Sequence, residues 1–325
     1  MKRMLSSSLG ALCVILMSIT PAAWAQPYPS KPIKMIVPYS PGGLPDTMAR
    51  IVAQRMSESL GQQVVIENKA GAGGILGTEA VAKSPPDGYT LLVADAAQLV
   101  INPALYPKLP YNTLKDLTPI SLVGVSPLFV VVHESVPAKT LQELIALAKA
   151  KPGTLSYGSS GTGSQHHLTM EALKTPLHLD ITHVPYKGTG QSVPAVVAGD
   201  VSIAVAALPS LVGHVKSGKI RILAANTKTR SSLAKDIPTI TEITKIDINY
   251  PGEIGVLAPA GTPQPIVAKL AEAIAKAAKH PDTVERFNGL GIEALGTTPE
   301  EYLAIIKTEI PQYAAVVKAA NVKLD

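Results

Sequence analysis

Twice in this chain a short apolar run ends in a glycine-rich turn and passes at once into a helical pattern: residues 37–50 read VPYSPGGLPDTMAR and residues 155–173 read LSYGSSGTGSQHHLTMEAL. A strand that turns directly into a helix dictates βα units, because parallel strands can be joined only by a crossover of that kind. The surroundings continue the alternation. Residues 33–39, 62–68 and 89–95 read as strands, and Met48, Ile51, Val52 and Met56 recur at helical spacing. A further helix is expected to start near Gly74, and a long extended region occupies residues 120–133. Leu141, Leu144, Ile145 and Ala148 mark one helical face, Ile266, Leu270 and Ile274 another, and the C-terminal pattern is helical with a break at Pro311. The fold class is α/β.

Two glycines at a strand–helix seam weaken both elements, so the seam needs a reason. One reading is a plain tight turn, with Asp46 capping the helix before Met48. The other is a cup of N–H groups for an anion: the first N–H groups of a helix have no internal partner and carry partial positive charge. The second turn adds the hydroxyls of Ser159, Ser160, Thr162 and Ser164, neutral donors that can hold an anion without a buried cation. His167 follows, directed into a cleft or into the core, and Lys187 in VPYKGTG is within reach of an anionic ligand or simply solvated.

Other chemistries lack their residues. A nucleophile elbow needs Gly-x-Ser-x-Gly, and Thr162 stands where the last glycine belongs. A dinucleotide loop in GAGGILG would need glycine at position 76, which is Leu76. The His166–His167 pair has no HExxH frame and no cysteine partner, so no metal and no cofactor is expected.

The first residues, with Lys2 and Arg3, a short apolar core and AAWA, read as an export leader cut after Ala25. Cutting there removes Cys13 and Trp24, the single cysteine and tryptophan, and lowers the net charge from +5 to +3. The mature chain is thus held by its core without disulfides. It is mildly basic, which suits small anions, and it has no dense Lys/Arg run with interleaved aromatics, so nucleic acid is not an expected partner.

Taken in order, VPYSPGGLPDTMAR, VVIENKAGAGGILGTEAVAKSPPDGYTLL, INPALY, LSYGSSGTGSQHHLTMEAL, HVPYKGTG and LAPAGTPQPIVAKL resemble the periplasmic solute-binding receptors of tripartite tricarboxylate transporters, the Bug-type receptors. The resemblance implies a type II periplasmic binding protein: two α/β lobes, a ligand cleft between them and two hinge crossings, near 125–131 and 250–256. One lobe would hold residues 26–126 and 251–325, the other 127–250. It implies a monomeric, non-catalytic periplasmic receptor that takes a small organic carboxylate and delivers it to membrane permease subunits; a sensory receptor or a periplasmic hydrolase is the alternative. Carried over by position, Tyr39, Gly42, Gly43 and Asp46 would form one side of a carboxylate cup, and Ser159, Ser160, Gly161, Thr162, Ser164 and His167 the other. The far walls would be Ala96, Ala97, Gln98, Lys187, Ala206 and Ala207. Two departures stand out. Pro45 replaces a small or hydroxyl residue and removes one N–H. Ala206 and Ala207 replace polar partners, which favours a ligand with an apolar or aromatic frame.

Overall fold

The computed structural model describes residues 28–319, so the expected leader and its cut after Ala25 lie outside the described residues, as do 320–325. From the N-terminal side come β1 (Ile33–Val37), α1 (Leu44–Leu60), β2 (Val64–Asn68), α2 (Ile75–Ala82), β3 (Thr90–Ala94), α3 (Asn102–Leu105), α4 (Thr113–Asp116) and β4 (Leu117–Ser126). Then follow β5 (Phe129–His133), α5 (Leu141–Ala150), β6 (Leu155–Ser159), α6 (Gln165–Leu177), β7 (Ile181–Pro185), α7 (Thr189–Ala198), β8 (Ile203–Ala206), α8 (Leu208–Lys216), β9 (Ile220–Ala225) and α9 (Ile240–Thr244). The chain finishes with β10 (Gly252–Pro259), α10 (Gln264–Ala278), α11 (Pro281–Gly289), β11 (Glu293–Ala294) and α12 (Pro299–Ala319).

Two separate sheets result. The first runs β11-β4-β10-β3-β1-β2, the second β7-β6-β8-β5-β9. In each, three parallel strands are followed by one antiparallel strand, β10 or β5. In each, that strand is the first one after the chain has changed sheets. The extended region expected at 120–133 is therefore two strands in two sheets, with Pro127 and Leu128 between them. Proline offers no N–H to a ladder, so the pairing ends there.

A buried polar residue joins the two passages. The Asn226 backbone N–H donates to the Leu128 carbonyl at 2.9 Å, and its carbonyl accepts from Tyr250 N–H at 3.1 Å. Its side-chain Oδ1 accepts from Leu128 N–H at 2.9 Å, while Nδ2 donates to the Tyr250 carbonyl at 2.6 Å and to Thr169 Oγ1 at 3.1 Å. Both strand-to-strand passages are thus tied to one side chain with no solvent exposure.

The helical spacing is realised as packing: Met48, Ile51, Val52 and Met56 of α1 are all buried. Strand β1 buries Ile33, Met35, Ile36 and Val37, as a parallel strand covered on both faces must. The expected break at Pro311 does not occur; α12 is continuous through it. Tyr302 and Ile306 before the ring and Tyr313 and Val317 after it are buried, and packing on both sides outweighs one lost backbone bond.

Helix α12 also carries Glu309, hydrogen-bonded to Glu253 of β10. Burial, then the charge and hydrogen bond of Glu253, hold the Glu309 carboxyl well above the carboxylate range. Both groups bind a proton more readily folded than unfolded. Their stabilisation is therefore complete below the unfolded value and is lost as pH rises through the folded values. Glu309→Gln, which keeps a donor without a titrating proton, is expected to raise the melting temperature at pH 8–9 and to leave it nearly unchanged at pH 4. Thermal unfolding across that range reads the difference.

Candidate functional site

In open α/β sheets the ligand crevice lies beyond the strand C-termini where the strand order reverses. Here those points are the ends of β1 and β3 in one sheet and of β6 and β8 in the other. Beyond them stand Tyr39–Gly43, Asp95–Gln98, Ser159–Ser164 and Ala207, which include most of the residues singled out from the sequence.

At the end of β1 the helix begins earlier than Asp46 suggests. Its N-cap is Gly43, with Pro45 in the first turn, and Asp46 is the third helical residue. From there the Asp46 carboxylate reaches back to accept Gly42 N–H at 3.0 Å. It also accepts from Arg50 Nε at 3.0 Å and Asn68 Nδ2 at 2.9 Å. Burial works to raise its pKa, yet the bonds from Arg50, Gly42 and Asn68 with the Arg50 charge bring it below the ordinary value. Asp46 thus clamps the turn, and the Gly42 N–H is its partner. Thr47 N–H bonds to the Gly43 carbonyl. The N–H groups left without a carbonyl inside the helix are those of Gly43, Leu44 and Asp46.

Tyr39 and Gln98 are committed to each other. The Tyr39 hydroxyl donates to Asp95 Oδ1 at 3.0 Å and accepts from Gln98 Nε2 at 2.8 Å, and Gln98 Oε1 accepts Asp95 N–H at 3.0 Å. Burial raises the Asp95 carboxyl to about 6, although Ala97 N–H and Tyr39 both donate to it. This network is a buried layer that ties the end of β1 to the end of β3. Ala97, 2% exposed, and Gln98, with no exposure, belong to that layer.

The stretch 71–74 leads from β2 into α2. Gly71, Ala72, Gly73 and Gly74 all have positive φ, of 138°, 48°, 60° and 87°. Such a run is open chiefly to glycine. It is held by the Gly73 carbonyl, which accepts from Asn102 Nδ2 at 3.1 Å. It lies against the second turn: a Cβ built on Gly73 would stand 3.5 Å from the Thr162 carbonyl oxygen.

In that second turn most polar groups lock the turn itself. Ser159 Oγ shares a 2.7 Å bond with His183 Nε2 and accepts Gly161 N–H at 3.1 Å. Ser160 Oγ shares a 2.7 Å bond with His166 Nδ1, and burial pushes that histidine down to about 4. Ser164 caps α6 by accepting His167 N–H at 3.2 Å. His167 is turned back on its own loop: Nδ1 accepts Gly163 N–H at 3.0 Å, and the ring stacks on His183 at 3.9 Å. Burial, then the charges of His183 and Lys174, push it down to about 3. Tyr157 stacks beneath His183 at 4.8 Å and donates to Glu171. The half-buried Thr162 carries a hydroxyl with no protein hydrogen-bond partner among the described residues.

The two halves meet around this site. Ser40 N–H donates to the Lys187 carbonyl at 3.2 Å, and Ser210 Oγ donates to the Gly42 carbonyl at 3.0 Å. Lys187 is exposed, and what it brings to the contact is its backbone. Ala206 and Ala207 are buried at the end of β8. Sequence reasoning missed Ser40, Asp95, His166, His183 and Ser210. Of these only Asp95 left a signal, as the residue just past a strand that ends at a switch point. Among the described residues no group of three His, Cys, Asp or Glu could hold a metal, and no helix is long and apolar enough to cross a membrane.

Comparison with known proteins gives the same picture. The model of the family described as "Tripartite tricarboxylate transporter family receptor" matches residues 48–322. Protein BugT of Bordetella pertussis is 38% identical over 92% of both chains. Among solved structures, a Rhodopseudomonas palustris protein with adipate is 31% identical, with a TM-score of 0.88 over 91% of this chain and 99% of that one. MatC from the same organism, with bound malate, is 32% identical, with a TM-score of 0.85 over 89% of this chain and 100% of that one. Helix starts at matching switch points of two sheets, and this likeness along the whole described chain, place it plainly: the chain belongs to the tripartite tricarboxylate transporter receptor family, whose members are periplasmic solute-binding proteins and not enzymes.

Proposed function

We propose that this protein is exported, is cut after Ala25, and as a periplasmic monomer binds a small organic carboxylate between two lobes and delivers it to the permease subunits of a tripartite transporter. The lobes are residues 26–126 with 251–325, and 127–250. The observation that carries the reading is the pair of helix starts, α1 and α6, set at the switch points of two different sheets and joined around the site by direct contacts. Oriented N–H groups of Gly43, Leu44, Ser160 and Thr162, with the Thr162 hydroxyl, suit a carboxylate head without a buried cation. Gly42 and Asp46 shape the first turn; Tyr39, Gln98, Ser159, Ser160, Gly161, Ser164 and His167 support the two sides. The adipate and malate held by the neighbouring structures are consistent with that chemistry. Ala206 and Ala207 favour a ligand with an apolar frame.

A thermal-shift screen over mono-, di- and aromatic carboxylates, with malate and adipate among them, tests the reading. A ligand at a hundredfold excess over its Kd stabilises by about 2.7 kcal/mol, so a binder raises the melting temperature by several degrees. A panel without any response overturns it. Co-purification with the permease subunits tests delivery.

A further inference from the structure

The carbonyl edge of the first turn is engaged by the opposite half. The Gly42 carbonyl accepts from Ser210 near the start of α8. The Pro41 carbonyl sits against the start of α7: a Cβ built on Gly190 would stand 2.0 Å from its oxygen. Beside it, a Cβ on Gly188 would stand 2.5 Å from Ser40 Oγ and 3.1 Å from Ser40 N, whose N–H bonds to the Lys187 carbonyl. From the other side, a Cβ on Gly43 would stand 2.7 Å from Thr189 Oγ1. The fit leaves no space for a methyl group. None of these contacts involves the N–H groups assigned to the carboxylate.

We propose that Ser40–Gly43 is a latch. Its Pro41 and Gly42 carbonyls dock on the first turns of α7 and α8, and Gly190 is the residue whose missing side chain lets the two halves close. Gly190 is the second residue of α7 and is not among the glycines with positive φ. The three atoms nearest its built Cβ all belong to Ser40 and Pro41 of the other half, and alanine would be the better helix former. Its smallness matters only when Pro41 of the other half is in place, and a backbone oxygen cannot swing aside as a flexible side chain does. The latch thus holds the closed form through protein–protein contacts, and the carboxylate adds to them. The proposal rests on the function reading only in equating the closed form with the loaded receptor.

The test uses the mature wild type, Gly190→Ala, Ser210→Ala, and Gly213→Ala as a control, because Gly213 in α8 has nothing within 4 Å of a built Cβ. Small-angle scattering is recorded without additive and with malate or adipate at millimolar concentration, beside thermal unfolding of each variant. Gly190→Ala is expected to unfold in one cooperative transition as wild type does, to scatter as a more open molecule in every condition where wild type scatters as closed, and to bind a responding carboxylate about tenfold or more weakly, because the competent fraction falls. Ser210→Ala shifts the same way by less, and Gly213→Ala matches wild type. A Gly190→Ala profile identical to wild type, or a wild type that is open in every condition, overturns the latch. If no carboxylate changes the wild type while Gly190→Ala is still the more open, the function reading fails and the latch stands.

Discussion

Gly43→Val is expected to leave a folded protein whose melting temperature no longer rises with any carboxylate. The backbone at Gly43, with φ −78° and ψ 175°, is extended and open to valine, so the local fold survives. Two consequences follow at the site. The valine Cβ would stand 2.7 Å from Thr189 Oγ1 on the other half, and its methyl groups extend further into that contact. Relief of that clash moves the turn away from the other half, and with it the N–H groups of Gly43 and Leu44 at the head of α1. We expect affinity for a responding ligand to fall about a hundredfold or more, equivalent to about 2.7 kcal/mol. Calorimetric titration measures it, and circular dichroism confirms the fold. An unchanged titration would remove the first turn from the site.

The largest loss of stability is expected at Asn226, where the two passages between the sheets meet. Asn226→Ala removes three side-chain hydrogen bonds at a fully buried position. It leaves the Leu128 N–H and the Tyr250 carbonyl short of partners in the core, each at a cost of about 1–3 kcal/mol. A total loss of about 3–5 kcal/mol follows, read as a lower urea midpoint with an unchanged slope. Asn226→Asp keeps the acceptor for Leu128 but buries a charge and loses the donor, so it offers no rescue. A variant within 1 kcal/mol of wild type would show that the two passages hold without this tie.

The parts of the fold that were legible in the sequence are those set by local rules. A change from strand-like to helical patterning marks β1 to α1 and β6 to α6, and Met48, Ile51, Val52 and Met56 are buried as their spacing requires. The start of α1 was misplaced although its signal was present: Pro45 fits the first helical turn and Asp46 can reach back to Gly42 from within the helix. The run at 120–133 looked continuous because a strand's pattern does not record which sheet it joins. Pro311 read as a break because the packing that holds α12 through it comes from elsewhere in the chain. The site divides in the same way. Glycine and hydroxyl turns announce themselves, whereas Asn226 and Ser210 act on segments remote in sequence. Gly190 likewise acquires its meaning only from Pro41. Lys187 meets Ser40 through its backbone carbonyl, a contact that its side-chain charge does not announce.

The central claim, that helix starts from two different sheets grip a carboxylate between them, is tested most directly by a crystal structure of the mature protein with whichever acid raises its melting temperature most. The account predicts carboxylate oxygens within hydrogen-bond reach of Gly43 and Leu44 N–H on one side and of Ser160 and Thr162 N–H on the other, with Ser210 on the Gly42 carbonyl. An acid bound elsewhere on the molecule, with those N–H groups facing only solvent, would contradict it.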